Sequence, residues 1–435
     1  MLAFGTDGVR GKAFVDITLD DAYQLGVAIA RSVKSRRAAV GRDPRISGPA
    51  LELALVEGLT SEGVEVLALG MVPTPCVAFA SEVENITGIA ITASHNRYED
   101  NGVKVFAPGG VKLTDEAEAA IVRELATVAK ERAPRTAAVI ERGRMVDRYV
   151  ESRIRMVRQE IGAGLRVVLD CANGAMSEVA PEVFRRLGAQ VDLIHALPDG
   201  TNINAECGAT APESLGTEVV AVRANIGFAF DGDGDRLVVV DERGNVIEGD
   251  RLLGLLAHYM RANERLHSNT LVTTVMSNIG LLRAMEQAGI NVAVTTVGDR
   301  YVLDHMNQHG FTLGGEQSGH VIIRDRATTG DGLMAAIAVL ELMVDSGRPI
   351  SQLADEVMIT VPQVLINVKT NVPAGETVSR MQDEIDAAVR ELGTRGRVLV
   401  RASGTEPLVR VMVECDSAQE AQRVAEGLAA RATSL

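Results

Sequence analysis

Short β-branched runs alternate with longer segments of helical period along most of the chain. AAVGRD, VEVLALG and GIAITAS are separated by stretches such as PALELALVEGLTSEG, a pattern that predicts α/β layering. The alternation recurs after residue 150 in LRVVLD, VDLIHA and IGFAFD, and after residue 250 in TLVTTV, NVAVTTV and FTLGG. Three α/β units in series are therefore expected. Each contains one local device, a strand, a small polar loop and a second strand: IAIT, ASHNRYEDNG, VKVF in the first; IGFAF, DGDGDR, LVVVDERGNV in the second; FTLGG, EQSG, HVIIRD in the third. This is an internal repeat of roughly 100 residues, carried by pattern rather than identity, and it predicts three equivalent loops facing one cleft. The Arg/Glu-rich stretch 129–162 is expected to carry a helix joining the first two units. Past residue 360 the pattern changes to VPQVLINVKT, a helical ETVSRMQDEIDAAVRELG, GRVLVRAS, LVRVMVEC and SAQEAQRVAEGLAARAT. Strand, helix, two strands and helix predict a smaller α+β domain. The expected domains are 1–150, 151–248, 249–360 and 361–435.

Composition sharpens this picture at a few points. A chain of 435 residues exceeds one ordinary core. With 46% hydrophobic and 23% charged residues it reads as globular, and with 3% aromatics and no Trp its core must be aliphatic. A net charge of −14 argues against a general nucleic-acid binder, so an anionic ligand would need a locally basic pocket. Cysteines 76, 171, 207 and 415 lack Cys-x-x-Cys spacing and signal neither a zinc motif nor a disulfide framework. They read as reduced core thiols. No run of 18 apolar residues occurs, and MLAFGTDGVRG lacks the charged start and apolar stretch of a secretory signal. A cytoplasmic protein without membrane partners is expected.

The polar loops carry the candidate chemistry. In DGDGDR, Asp231, Asp233 and Asp235 stand at i, i+2 and i+4 with glycines between them, so their hard oxygens can converge on Mg²⁺ or Ca²⁺. An EF-hand loop is excluded, although Glu242 falls at its twelfth position, because Arg236 occupies the turn-glycine position and both flanks read as strands. In RASGTEPLVRV, Ser403, Gly404 and Thr405 lie between two strands with Arg401 and Arg410 at their ends. Small residues free backbone N–H groups for an anion nest, and arginine matches phosphate bidentately. Arg10 in FGTDGVRG is a further cation, and GGEQSGH offers Glu316, Gln317, Ser318 and His320 to sugar hydroxyls. In ITASHN, Ser94 either opens a turn or acts as a nucleophile. It lies in no Gly-x-Ser-x-Gly elbow, which disfavours a Ser-His hydrolase.

A loop serine, a three-carboxylate cation site and a phosphate nest together describe phosphoryl transfer. TASHN, FDGDGDR, GGEQSGH and RASGTEPLVRV, in this order and spacing, resemble the α-D-phosphohexomutase superfamily and within it the bacterial phosphoglucosamine mutases. The resemblance spans nearly the whole chain. It implies three related α/β domains and a smaller fourth domain around a central cleft. It also implies that Ser94 is phosphorylated, and that Asp231, Asp233 and Asp235 bind one Mg²⁺ together with that phosphate. By the same resemblance Arg10, His95, Lys104 and Arg236 surround the transferred group, with Lys104 or His95 as general base, and Glu316 and Ser318 contact the sugar. Arg401, Ser403, Gly404, Thr405 and Arg410 would hold the phosphate that is not reacting.

The implied reaction is interconversion of glucosamine 6-phosphate and glucosamine 1-phosphate through a 1,6-bisphosphate, feeding UDP-N-acetylglucosamine and peptidoglycan precursors, with a homodimer as a plausible assembly. A mutase for glucose or mannose phosphates is the alternative. A metal-dependent sugar phosphatase would release free phosphate, and a non-catalytic sugar-phosphate-binding protein would need no Ser94. One departure stands out: Arg97 follows Ser-His-Asn where the family usually has proline. Losing that φ-fixing residue is expected to loosen the loop slightly.

Overall fold

The computed structural model describes residues 5, 8–33, 35–128, 139–140, 143–158, 160–403 and 408–435. The chain divides into two compact units, Met1–Met276 with Ile290–Asp355, and Ser277–Gly289 with Glu356–Leu435.

The first unit holds three sheets, each a parallel core extended at one side by an antiparallel strand. In the first sheet, β1 (Val9–Lys12), β2 (Arg37–Arg42), β3 (Glu65–Met71), β4 (Thr87–Ile91), β5 (Asp100–Ala107), β6 (Val111–Lys112) and β7 (Val139–Ile140) run in the order β1-β5-β4-β2-β3-β7, with β6 on β5. The parallel strands β2 and β4 are almost wholly buried, as strands covered on both faces must be. Helices Leu19–Val33 and Gly48–Ser61 pack on this sheet through Leu25, Ile29, Leu51, Leu55 and Leu59. The second sheet comprises β8 (Arg166–Asp170), β9 (Gln190–Ile194), β10 (Ile226–Phe230), β11 (Leu237–Val240) and β12 (Val246–Ile247), ordered β12-β11-β10-β8-β9. The third comprises β13 (Thr270–Thr274), β14 (Asn291–Thr295), β15 (Leu313–Gly315) and β16 (Val321–Ile323), ordered β14-β13-β15-β16.

The repeat read from the sequence has a common topological origin. In every sheet the functional loop joins a strand that pairs in parallel with the core to one that returns antiparallel: β4 to β5, β10 to β11, and β15 to β16. Each loop thus leaves the carboxyl end of a buried strand, where α/β sheets present their ligands. The helix expected between the first two units is present as Gly143–Arg155.

The second unit contains a three-stranded antiparallel sheet of β17 (Gln363–Lys369), β18 (Gly396–Ala402) and β19 (Leu408–Cys415), ordered β17-β19-β18. Val409, Val411 and Val413 of β19 alternate onto one face and pack against Ala421, Val424 and Leu428 of the helix Ala418–Thr433. The single helix expected over 376–393 is instead two, Ala374–Arg380 and Gln382–Leu392, broken at Met381. Met381 leaves helical geometry (φ −97°, ψ 6°) while its side chain stays buried in the core of this unit.

Candidate active site

The loop after β4 carries Ser94, which is buried and has a left-handed backbone (φ +52°). A non-glycine residue held there costs roughly 1–3 kcal/mol and persists where its surroundings over-determine it. They do so here. The Ser94 N–H donates to Thr92 Oγ1 at 2.8 Å, and the Thr92 hydroxyl donates to Asp43 Oδ2 at 2.7 Å. Arg45, fully buried, donates through Nε to Asp43 Oδ2 at 2.8 Å. Its Nη2 reaches the carbonyls of Ser94 and Asn96 at 2.9 and 2.8 Å, and its Nη1 that of Asp100 at 3.0 Å and that of Arg97. Asn204, from the second sheet's loops, donates to the Ser94 and Asn96 carbonyls at 2.8 and 2.9 Å. The Arg97 side chain is exposed, and its loop is fixed through its carbonyl rather than by a proline ring.

The aspartate loop after β10 closes on this serine. The Ser94 hydroxyl donates to Asp231 Oδ2 at 2.6 Å, while Asp231 Oδ1 accepts the N–H groups of Gly234 and Arg236, both at 3.1 Å. A side chain at residue 232 would drive its Cβ to 2.6 Å from the Ser94 carbonyl oxygen, so glycine is required where the two loops touch. Asp233 Oδ2 accepts from the Thr74 hydroxyl at 2.6 Å and from Lys104 Nζ at 2.9 Å, and Asp235 Oδ2 accepts from the same Nζ at 2.7 Å. Oxygens of the three aspartates lie within 4.8 Å of one another. Burial, then the charges of Asp235 and Asp233, hold the Asp231 carboxyl well above the usual carboxylate range. One buried oxygen of Asp233, Oδ1, has no hydrogen-bond partner among the described residues. A cluster of hard, buried carboxylate oxygens with an unused acceptor fits Mg²⁺.

Positive and neutral groups surround this centre. His95 Nδ1 lies 3.2 Å from Ser94 Oγ. Burial, reinforced by the charges of Arg236 and Arg10, lowers the His95 pKa to about 4, so the imidazole is neutral at ordinary pH. Folding therefore weakens as pH falls from the unfolded imidazole's value, about 6.5, towards this folded value and keeps its full contribution above that window. NMR titration of ring-labelled protein, assigned with His95→Gln, is expected to show a His95 midpoint near 4. A midpoint near 6.5, the ordinary value, would contradict the electrostatics described.

The sugar-loop candidates flank the same centre from the third sheet. Leu237 N–H donates to the Gly319 carbonyl at 2.9 Å, joining the loops after β10 and β15. Glu316 is half-buried and accepts the Gly298 N–H at 3.0 Å through Oε1, whereas Gln317 and Ser318 are exposed. His320 is buried between Asp299, at 3.2 Å, and Asp235, at 3.7 Å. Burial opposes its protonation, but Asp299 and Asp235 outweigh it and raise its pKa. Lys112 forms an ion pair with Asp299 from the first sheet. Asp299, Lys112, Thr74, Asp43, Arg45 and Asn204 were not singled out in the sequence. The only signal for them was local, an Asp-Pro-Arg directly after β2 and the Asn-Ile-Asn run at 202–204.

In the second unit, Arg401 and Arg410 sit directly opposite each other on β18 and β19. Burial, then the neighbouring Arg410, lowers the Arg401 pKa. Like charges opposed across strands are destabilising by themselves, and an anion between them would relieve that. The Ser403 N–H donates to the Leu408 carbonyl at 2.9 Å, closing the hairpin. Gly404 and Thr405 lie outside the described residues.

Four family models cover the chain in order. The phosphoglucomutase/phosphomannomutase alpha/beta/alpha domains I, II and III match residues 1–132, 147–244 and 248–361, and the C-terminal domain of that family matches 365–431. These matches define the class as phosphohexomutase. The chain is 46% identical to phosphoglucosamine mutase of Moorella thermoacetica, over 98% of each chain, and 47% identical to that of Thermobifida fusca, over 98% of this chain and 97% of the relative. It belongs to the phosphoglucosamine mutases within the phosphoglucomutase/phosphomannomutase family. Among solved structures, a phosphoglucomutase/phosphomannomutase family protein from Burkholderia thailandensis superposes with a TM-score of 0.83 at 26% identity, covering 99% and 97% of the two chains. N-acetylphosphoglucosamine mutase from Aspergillus fumigatus, in complex with GlcNAc-6P and magnesium, shares the fold, with a TM-score of 0.68 at 18% identity over 100% of this chain and 96% of that one.

Proposed function

We propose that the chain interconverts glucosamine 6-phosphate and glucosamine 1-phosphate, with Ser94 as the phosphoryl carrier. The observation that carries this reading is the Ser94 hydroxyl, buried and 2.6 Å from Asp231 within the carboxylate cluster. Phospho-Ser94 gives its phosphoryl group to the free hydroxyl of the sugar phosphate. The Oγ–P bond breaks as a bond from P to the sugar oxygen forms, and the hydroxyl proton leaves to a base. The resulting 1,6-bisphosphate reorients and returns its other phosphate to Ser94. His95 supports the role of proton acceptor, being neutral and close to Oγ, whereas Lys104 is engaged by Asp233 and Asp235. Asp231, Asp233 and Asp235 would hold Mg²⁺, which when bound neutralises charge on the phosphoserine. Arg10 and Arg236 add fixed positive charge where charge spreads in the transition state. Arg401, Ser403, Gly404, Thr405 and Arg410 would bind the distal phosphate, and Glu316 and Ser318 the sugar.

The Glu316 carboxylate supports an amino sugar, because a 2-ammonium group gains from a nearby negative charge in a partly desolvated cleft. Four buried free cysteines accord with a cytoplasmic setting, and no helix among the described residues is long and apolar enough to cross a membrane. The decisive assay supplies glucosamine 6-phosphate with a trace of the bisphosphate and separates the 1-phosphate from inorganic phosphate. A kcat/KM for the amino sugar at least about tenfold above that for glucose phosphate is expected, about 1.4 kcal/mol of discrimination. Equal or better use of glucose or mannose phosphate would assign a hexose phosphate mutase instead, and release of inorganic phosphate alone would assign a phosphatase. Excess EDTA is expected to lower turnover at least about a hundredfold, with recovery on adding Mg²⁺. Full turnover in EDTA would remove the metal from the reaction.

A further inference from the structure

Away from the carboxylate cluster, the second sheet gathers three different metal-ligating side chains that no sequence spacing brings together. Asp170 ends β8, His195 follows β9 and Cys207 precedes a short turn at Gly208–Thr210. Their ligand atoms lie within 4.8 Å of one another. Asp170 and Cys207 are fully buried, while His195 is about one-third exposed, with 32% side-chain accessibility, and so opens the cluster to solvent.

Each ligand is held by its own frame. Asp170 accepts the N–H groups of Ala172 at 2.9 Å and Gly208 at 3.0 Å, and its Oδ2 lies 3.0 Å from His195 Nδ1. The His195 carbonyl accepts the Asn173 N–H at 2.6 Å. The Asn173 side-chain amide lies 4.0 Å from Cys207 Sγ. These segments are unusually rich in left-handed residues, with Ala172, Asn173, His195, Asn204, Glu206 and Gly208 all at positive φ. The three side chains are thus positioned by hydrogen bonds within their own loops.

We propose that Asp170, His195 and Cys207 form a second metal site, selective for a borderline cation of the Zn²⁺ type and distinct from the oxygen-only site of Asp231, Asp233 and Asp235. A carboxylate, an imidazole and a thiolate are the donor set of such an ion, whereas Mg²⁺ takes oxygen ligands. On binding, the Cys207 thiol gives up its proton to solvent and the sulfur bonds to the metal. His195 ligates through one ring nitrogen and carries its proton on the other, which faces away from the ion. One proton is released per ion bound.

The site bears on the catalytic serine through the backbone. Asn204, whose side chain holds the Ser94 carbonyl, lies three residues before Cys207, and its N–H donates to the Ala172 carbonyl at 2.9 Å. A metal on Asp170, His195 and Cys207 would brace that loop from behind.

The test uses Co²⁺ as probe on the full chain after chelator treatment and reloading with excess Mg²⁺. The wild-type protein is expected to develop a near-ultraviolet thiolate-to-Co²⁺ charge-transfer band, which the oxygen-only site cannot produce. Cys207→Ser should abolish the band, and His195→Ala, changed at a partly exposed position, should weaken Co²⁺ affinity at least about tenfold. Zn²⁺ should bleach the band, whereas Mg²⁺ should leave it. Absence of the band in the wild type, its persistence in Cys207→Ser, or unchanged affinity in His195→Ala would each overturn the assignment. Should Cys207→Ser fail to fold, the His195→Ala comparison decides.

Discussion

Ser94→Ala is expected to fold as the parent does and to lose mutase turnover by at least about a thousandfold. The fold should survive because the loop is held through main-chain atoms: the Ser94 N–H on Thr92 and the Ser94 carbonyl on Arg45 and Asn204. Alanine keeps the Cβ and the same left-handed backbone. Only the Oγ contacts with Asp231 and His95 disappear, and with them the atom proposed to carry the phosphoryl group. Two readouts separate the roles. Circular dichroism and thermal melting should match the parent, while intact-mass spectrometry should show a phosphate adduct on the parent that is absent from the variant. Turnover within tenfold of the parent, or a phosphate adduct mapped to another residue, would refute the assignment and leave the serine as a turn residue.

Much of this was legible because the information is local. The three strand–loop–strand devices could be read from runs of β-branched residues and small polar loops, and the convergence of Asp231, Asp233 and Asp235 followed from i, i+2, i+4 spacing on glycine-separated positions. What was not legible depends on contacts between segments far apart in the chain. Asp43 read only as the end of a strand and Arg45, two residues on, carried no reading at all, yet they fix a loop about fifty residues later; Asn204 reaches the same loop from the second sheet. Lys104 gave no sign that one ammonium would bridge two of the aspartates. Cysteine spacing gave no sign that Asp170, at the end of β8, and His195, just after β9, would lie beside Cys207, since the three are brought together only by the fold. The break at Met381 escaped because helical periodicity continues through it and neither proline nor glycine marks it.

The largest effect on stability is expected at Arg45. Its guanidinium and the Asp43 carboxylate are both fully inaccessible and bonded at 2.8 Å, so removing one partner leaves the other charge in the interior. Breaking a buried pair in this way typically costs about 3–5 kcal/mol. Arg45→Met, which retains much of the aliphatic volume, also strands the carbonyls of Ser94, Asn96, Arg97 and Asp100, although Asn204 still serves two of them. Asp43→Asn combined with Arg45→Met removes the uncompensated carboxylate and should recover part of the loss, since eliminating both charges is less costly than eliminating one. Guanidinium denaturation of the parent, the two single variants and the double variant would give the coupling energy. Loss of less than about 1 kcal/mol in Arg45→Met, the scale of an exposed pair, would show that the loop does not depend on this arginine. Recovery of stability in the double variant without recovery of turnover would instead separate the two effects of Arg45, charge compensation and the holding of Ser94 in its left-handed geometry.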